Sequence, residues 1–256
     1  IGLALARGLA EAGAKVVLNG RDAAKLEAAR AHLPGAVTAA FDVTDHAALA
    51  AFVEAAAAEW NGLDGIINNA GLSVVAPFAD CPREDFDRVM AVNFTAVVEG
   101  TRLALPHLRA RGSGWIVNIS SVFGMMGYPT QSAYNASKFA VRGFTEALAL
   151  ELAVTDPGIA VIRVHPGGVK TRVARNAKQI ARLPGTPADL DAAAEFEKAA
   201  RTTPEAAAEA IVRGMEERRH RILIGPDARF IDWMVRLFPE THFRRIGLFL
   251  GGGQRR

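Results

Sequence analysis

Two rhythms of apolar positions take turns along this chain. Leu3 to Ala14 repeats its apolar residues at helical spacing and stops at Gly13, and Lys15 to Gly20 follows as a short apolar run of strand type. The exchange continues with a helix over Asp22 to His32, a strand over Ala36 to Phe41, an alanine-rich helix over Asp45 to Trp60 and a buried strand over Gly65 to Asn68. Arg83 to Arg111 reads as one long helix. Trp115 to Ile119 is an alternating, β-branched strand, and beyond a loop with Gly124, Gly127 and Pro129 a helical pattern carries Tyr134 and Lys138. Ile159 to His165 is a strand stopped by Pro166-Gly167-Gly168, and the polar stretch to Thr203 holds one or two short helices. Pro204 to Arg218 is a helix with proline in its first turn, and Arg221 to Ile224 is the last strand. Strands alternating with helices make βαβ units. Right-handed crossovers then predict an α/β fold, a Rossmann-like doubly wound parallel sheet with helices on both faces.

Composition narrows this only slightly. The chain has 256 residues, 50% of them hydrophobic, enough for one large α/β domain or two small ones. No repeat, linker or charge block divides it, so one domain over 1–256 is expected. Cys81 is the only cysteine, which excludes an intrachain disulfide and argues against a zinc cluster. With no signal peptide in view, a cytoplasmic location is expected. No apolar run reaches the roughly 18 residues of a membrane span. Net charge is +3, with the basic excess late, at Arg218, Arg219, Arg221, Arg229, Arg236, Arg244, Arg245, Arg255 and Arg256. Nucleic-acid binding would want that charge on one face with aromatics interleaved, so a solvated basic face is the expectation. The histidines are scattered, and no metal site is assigned.

The chemistry sits at strand ends. Ligands of a doubly wound sheet bind at the carboxyl ends of its strands, where Arg21, Asp42, Asn69-Ala70-Gly71, Ser121 and Pro166-Gly167 all fall. Tyr134 and Lys138 stand four apart, one turn apart on one helix face. A neighbouring ammonium favours the phenolate and lowers a phenol pKa of about 10, so such a phenol can exchange a proton near neutral pH. A serine from the preceding strand end could hold the oxygen that receives the proton. Tyr-x-x-x-Lys alone is common and a helical Tyr is more often a core residue, so the case depends on its neighbours. Gly2 at the head of the first helix allows a pyrophosphate to approach the helix amino terminus. Gly20-Arg21 offers no acid where an NAD-specific fold carries one, and Arg21 can fork onto a 2′-phosphate or be a plain surface charge. Asp42 could accept from an adenine amine or cap the next helix, for which Asp45 is better placed. Asn93 lies mid-helix, where asparagine is a poor choice unless its side chain bonds backbone or water.

In order along the chain, Ile1-Gly2, Asp42-Val43, Asn68-Asn69-Ala70-Gly71, Asn93, Ile119-Ser120-Ser121, Tyr134 to Lys138 (Y-N-A-S-K) and Pro166-Gly167 with Thr171 form a set that resembles the short-chain dehydrogenase/reductase family, in its single-domain branch. The resemblance implies a catalytic tetrad. Tyr134 would be the general acid/base, Lys138 would lower its pKa and bind the nicotinamide ribose, Ser121 would hold the substrate oxygen, and Asn93 would anchor a water in a proton relay. It implies a cofactor lined by Gly2, Arg21, Asp42, Val43, Asn69, Ala70, Gly71, Tyr134, Lys138, Pro166, Gly167, Val169 and Thr171. NADP(H) is expected, with NAD less favoured. A hydride would pass between nicotinamide and a carbonyl or carbinol carbon.

Two departures from the family pattern matter. Its opening strand and T-G-x-x-x-G loop are not in this sequence, and residues missing ahead of Ile1 are expected. A C-terminal extension over 226–256 replaces the short glycine-rich tail of many relatives. Its Phe230, Ile231, Trp233, Met234, Leu237 and Phe238 make an apolar helical face, expected to pack on the substrate mouth or a partner subunit, with shallow membrane contact the minority reading. Residues 171–203 are expected to be a substrate lid. The expected activity is NADP(H)-dependent interconversion of a ketone or aldehyde and an alcohol, on a small lipophilic substrate lined by the Met125-Met126 loop. A 3-oxoacyl thioester reductase is the alternative within the class. A non-catalytic NADP-binding scaffold is the alternative outside it, and the intact Ser, Tyr and Lys argue against that. A homodimer or homotetramer is expected, with no nucleic-acid partner and no stable membrane insertion.

Overall fold

The computed structural model describes residues 1–187 and 190–242. Its helices are α1 Gly2–Glu11, α2 Ala23–Arg30, α3 His46–Glu59, α4 Arg83–Met90, α5 Ala96–Arg111, α6 Ser132–Thr155, α7 Ala192–Ala199, α8 Pro204–Glu216 and α9 Pro226–Leu237. Its strands are β1 Val17–Gly20, β2 Val37–Ala40, β3 Gly65–Asn68, β4 Val74–Val75, β5 Gly114–Ile119, β6 Ile159–Pro166, β7 Lys178–Gln179 and β8 Arg221–Ile224. Helix starts follow cap chemistry. Asp22, Asp45 and Thr203 each accept a backbone N–H of the first turn, and Pro204 adds its fixed φ to α8.

All strand pairs are parallel, as expected of βαβ units. Strands β3-β5-β6-β8 form one sheet, with Trp115 opposite Ala160 and His165 opposite Leu223. Side chains of β5 and β6 alternate between two cores, which is the period-2 signature of a sheet covered on both faces. Val117, Ala160, Ile162 and Val164 meet α1 and α8, through Leu5, Ala207, Ala208 and Ile211. Ile116, Ile159 and Val161 meet α5 and α6, through Leu108, Leu148 and Leu152.

Strands β1 and β2 make a separate pair, not hydrogen-bonded to the four-stranded sheet among the described residues. Helix α1 joins the two. Its Ala6 and Ala10 pack on Val16 and Leu18, while its Leu5 and Leu9 belong to the core around Ile67 and Val117.

Three elements differ from the sequence reading. The long helix expected over Arg83 to Arg111 is broken by a π-helical turn, Ala91–Thr95, with Asn93 at its centre. The 171–203 segment includes an unexpected two-residue strand, β7, that pairs with β4, beside one helix, α7, of the one or two expected. The helical face in the extension packs only in part: Ala228 and Met234 are buried, while Phe230, Trp233 and Leu237 stay exposed. Ala188 and Asp189 of the expected lid lie outside the described residues. So do residues 243–256 of the extension, including Arg244, Arg245, Arg255 and Arg256.

Candidate active site

Strand β5 delivers two serines to its carboxyl end, and alternation sends them opposite ways. Ser120 Oγ donates to the Lys138 carbonyl at 2.8 Å and ties strand to helix, a structural task. Ser121 faces Tyr134, near enough for its hydroxyl to oppose part of the rise in the phenol's pKa. Ser121 Oγ also accepts from Phe123 N at 3.1 Å, opening the short helical turn after the strand.

The loop between serine and tyrosine is pinned from α6. Asn135 Nδ2 donates to Phe123 O at 2.8 Å and to Met126 O at 2.7 Å, and its Oδ1 accepts from Tyr128 N at 3.0 Å. Met125 and Met126 are buried beneath this loop, so they line the site less than expected and support it more. Phe123 meets the Tyr134 ring edge-on with centroids 6.2 Å apart.

Tyr134 and Lys138 share one face of α6, with the ammonium 5.6 Å from the phenol ring centroid. The expectation that Lys138 makes the phenol acidic is corrected here. Burial pushes the Tyr134 hydroxyl up from its ordinary value, and the Ser121 hydroxyl only partly opposes it. Burial also brings the Lys138 ammonium down to about 8. The reason is that both groups lose water, while Lys138 Nζ donates to the Ile119 carbonyl at 2.9 Å and stands 5.6 Å from the ring centroid. The phenol is therefore held protonated at neutral pH and the lysine is unusually ready to release a proton.

Asn93 is fully buried in the π-helical turn and spends its amide on backbone. Leu72 N donates to its Oδ1 at 2.9 Å, and its Nδ2 donates to Leu72 O at 2.9 Å and to Ser137 Oγ at 3.1 Å. The asparagine that looked misplaced in a helix thus closes the turn after β3. A Cβ on Gly71 would stand 3.4 Å from Asn93 Oδ1 and 3.6 Å from Lys138 Nζ, so this glycine edges the space over the lysine.

The remaining predicted residues fall around the same strand ends. A Cβ on Gly2 would come within 2.6 Å of Asn69 Nδ2, so α1 begins directly against the β3 turn. Ala70 and Gly71 are exposed there. Arg21 leaves the end of β1 with its side chain 67% exposed, 3.9 Å from Asp42. Asp42 caps no helix. It accepts from Thr44 N at 3.0 Å, Thr44 Oγ1 at 2.8 Å and, very closely, Arg88. Burial alone would raise its carboxyl, but the bonds from Arg88 and Thr44 outweigh that and bring it down to about 2. Val43 is half-buried beside it. Pro166 ends β6 and Gly167 N donates to Ile224 O at 2.9 Å. Val169 turns its side chain into the core, so what it offers a ligand is backbone, and Thr171 N closes back on Val169 O at 2.7 Å.

Asn118, Thr101, Thr145 and Asp227 escaped the sequence reading, and so did the partners of Asn68. Asn68 Nδ2 donates to Asn118 Oδ1 at 2.8 Å and to Thr101 Oγ1 at 3.1 Å, and Asn118 Nδ2 donates to Thr145 Oγ1 at 3.0 Å. This buried network fixes β3, β5, α5 and α6 under the cleft. Its signal was present, since an asparagine interrupting W-I-V-N-I in a buried strand needs partners. Asp227, from the first turn of α9, donates nothing but accepts closely from Gly168 N, and a Cβ on Gly167 would overlap its carboxylate. No spacing rule links residues 167 and 227, and this contact had no sequence signal.

Residues 1–181 match the protein family described as short chain dehydrogenase. The Mycobacterium tuberculosis protein SadH, named as an oxidoreductase, is 38% identical over 252 residues, covering 96% of this chain and 90% of that protein. The NADP-dependent (R)-specific alcohol dehydrogenase of Lentilactobacillus kefiri is 37% identical over 175 residues, covering 67% of this chain and 69% of its own length. A short chain dehydrogenase/reductase from Burkholderia phymatum, solved in complex with NAD, matches the fold with a TM-score of 0.81 at 27% identity, covering 95% of this chain and 90% of that one.

Proposed function

The chain belongs to the short-chain dehydrogenase family and is an oxidoreductase of that family, and from this premise we propose that it interconverts a lipophilic ketone or aldehyde and its alcohol with NADP(H), using Tyr134 as general acid/base. The observation that carries the proposal is Ser121 facing Tyr134, with the Lys138 ammonium 5.6 Å from the phenol ring centroid at the strand ends.

The residues present fit a dinucleotide. Gly2 and Gly71 leave open the ground beside Asn69 and above Lys138, where side chains would otherwise intrude. Lys138 would hold the nicotinamide ribose, Asn69 to Gly71 and Pro166 to Thr171 would line the cofactor, and Arg21 would meet a 2′-phosphate. The relatives carry both NADP and NAD in their names, so the preference for NADP rests on Arg21 and on the lack of an acid at Gly20. When bound, the nicotinamide supplies or accepts the hydride. Ser121 would orient the substrate oxygen, and Tyr134, whose pKa desolvation raises, would give that oxygen its proton in the reductive direction. Lys138, with its lowered pKa, is suited to refill the phenol, with the remaining Oδ1 lone pair of Asn93 anchoring a water on the way.

The segment over 171–203 would be the lid. It is tied at one end by β7, where Lys178 N donates to Ser73 O at 3.1 Å and Ile180 N to Val75 O at 3.0 Å. A homo-oligomer is proposed through α6, whose Phe139, Leu150 and Val154 are exposed large apolar residues.

The test is NADPH oxidation against a panel of ketones, quinones and acyl thioesters, repeated with Tyr134→Phe. Turnover should fall by about 10²- to 10⁴-fold, the usual worth of a general acid, with NADPH binding kept within a few-fold. Undiminished turnover in the variant would remove Tyr134 from the chemistry.

A further inference from the structure

The carboxylate just past the end of β2 lies between two arginines that hold it differently. Thr44 N at 3.0 Å and Thr44 Oγ1 at 2.8 Å donate to Asp42 Oδ1. Arg88 Nη2 donates very closely to Asp42 Oδ2, and its Nη1 donates to Thr44 Oγ1 at 2.8 Å. Guanidinium, hydroxyl and carboxylate thus close a ring. Arg21 Nη1 stands 3.9 Å from that same Oδ2, within ionic reach but beyond hydrogen-bond distance. The Arg21 side chain is 67% exposed, against 37% for Arg88 and 30% for Asp42.

Arg88 is placed from outside the β1–β2 pair. It lies in the last turn of α4, next to Val89, which is fully buried with Val74 and Ala133, and α4 runs straight into the π-helical turn of Asn93. Burial would raise the Asp42 carboxyl, and Arg88 is foremost among the partners that bring it down instead, to about 2. Two guanidiniums to one carboxylate leave one positive charge over. Because the ring holds Asp42 on Arg88, the charge left over is that of Arg21 at the end of β1. Without Arg88, Arg21 would be the remaining cation in ionic reach of Asp42 among the described residues. It would close on the carboxylate, and the same carboxylate would repel any phosphate brought there.

We propose that Arg88 is a positioning residue for the choice of NADP over NAD: by holding Asp42 it leaves Arg21 free for the 2′-phosphate and cancels the negative charge that this phosphate would meet. The inference rests on the reading of Arg21 as the 2′-phosphate partner and adds a residue that acts through it. A planar fork is needed for the task, since one side chain bonds the carboxylate and the Thr44 hydroxyl together, and a lysine would offer a single point of charge. An adenosine ribose with free hydroxyls brings no charge to this place, so NAD should feel the loss of Arg88 far less. A guanidinium that only braced α4 against the Asp42 turn would matter equally to both cofactors.

The experiment measures the Kd of NADPH and of NADH for the full chain by titration calorimetry, with no substrate present and no turnover. Arg88→Met keeps the reach of the side chain and drops its charge. It should raise the Kd of NADPH about 10-fold or more and that of NADH by less than about 3-fold, in keeping with the loss of a charge-assisted pair that is partly exposed. Arg88→Met/Asp42→Asn removes both charges, leaves no unpaired carboxylate to disturb folding, and should restore the parent's preference for NADPH. An equal rise for both cofactors in Arg88→Met, or a preference that stays lost in the double variant, overturns the proposal. A parent chain that binds NADH as tightly as NADPH overturns the reading of Arg21 and this inference with it, so the parent alone tells the two failures apart.

Discussion

His165 sits where only a neutral imidazole suits. Its Nδ1 is 3.0 Å from the Ser121 carbonyl, which makes Nδ1 the donor, and its Nε2 is buried without a partner among the described residues. Burial lowers the pKa from 6.5 to about 4, against the Ser121 bond, with Arg221, Arg142 and Arg163 repelling a second proton. Above pH 6.5 neither folded nor unfolded chain is protonated here, and stability is unaffected. Between 6.5 and 4 the unfolded chain takes a proton that the folded one refuses, so stability falls as pH drops through that window, by about 3 kcal/mol in all. Urea unfolding at several pH values should show that slope, and His165→Asn should flatten it; an equal slope in the variant would assign acid sensitivity elsewhere. Arg21 is a second single-residue question. Its side chain is mostly exposed, so Arg21→Ala should leave stability within about 0.5 kcal/mol. It should raise the KM for NADP about 10-fold or more and leave that for NAD nearly unchanged, since only NADP has the 2′-phosphate that the guanidinium would fork. Equal effects on both cofactors would cancel the assignment.

Among elements, those with a period were legible and those made by contact were not. Strands β5 and β6 announced themselves through β-branched runs, and their alternation between two cores is what the doubly wound reading required. The π-helical turn at Ala91–Thr95 has no pattern of its own: it forms where Asn93 reaches back to Leu72, across 21 positions. The β4–β7 pair is two residues long on each side, too short to carry a rhythm. The phenol–lysine spacing was visible, but not that burial would dominate both pKa values, because the Ile119 carbonyl that holds Lys138 cannot be read from i, i+4. The junction of α9 with the end of β6 belongs to the same unreadable class and can be tested as a pair. A Cβ at Gly167 would lie 2.2–2.4 Å from the Asp227 carboxylate. Gly167→Ala alone should therefore cost about 1–3 kcal/mol in unfolding free energy, and most of that should return in Gly167→Ala/Asp227→Ala. Additive costs in the double-mutant cycle would mean that the two sites do not touch.

On the scale of the whole molecule, the cleft lies where two hydrogen-bonded bodies meet. The β1–β2 pair carries Arg21 and Asp42 at its end, the four-stranded sheet carries Asn69, Ser121 and Pro166 at its own, and α1 joins them through side-chain packing. A dinucleotide held as proposed would touch both bodies, so its binding energy would add directly to their association. At about 100 times its Kd, a ligand that binds only the folded state contributes about 2.7 kcal/mol. For a chain of this size each kcal/mol moves Tm by roughly 2–4 °C, which places the expected rise near 5–10 °C. NADP should give the larger shift at equal concentration and NAD the smaller, because Arg21 lies on the β1–β2 side and meets only the phosphorylated ribose. The same ligand should slow amide exchange in β1 and β2 by a larger factor than in β6, which is already paired on both edges. A Tm that ignores both nucleotides at saturating concentration, or protection that rises in the four-stranded sheet alone, would show that no ligand spans the two bodies and would remove Arg21 and Asp42 from the cofactor site together.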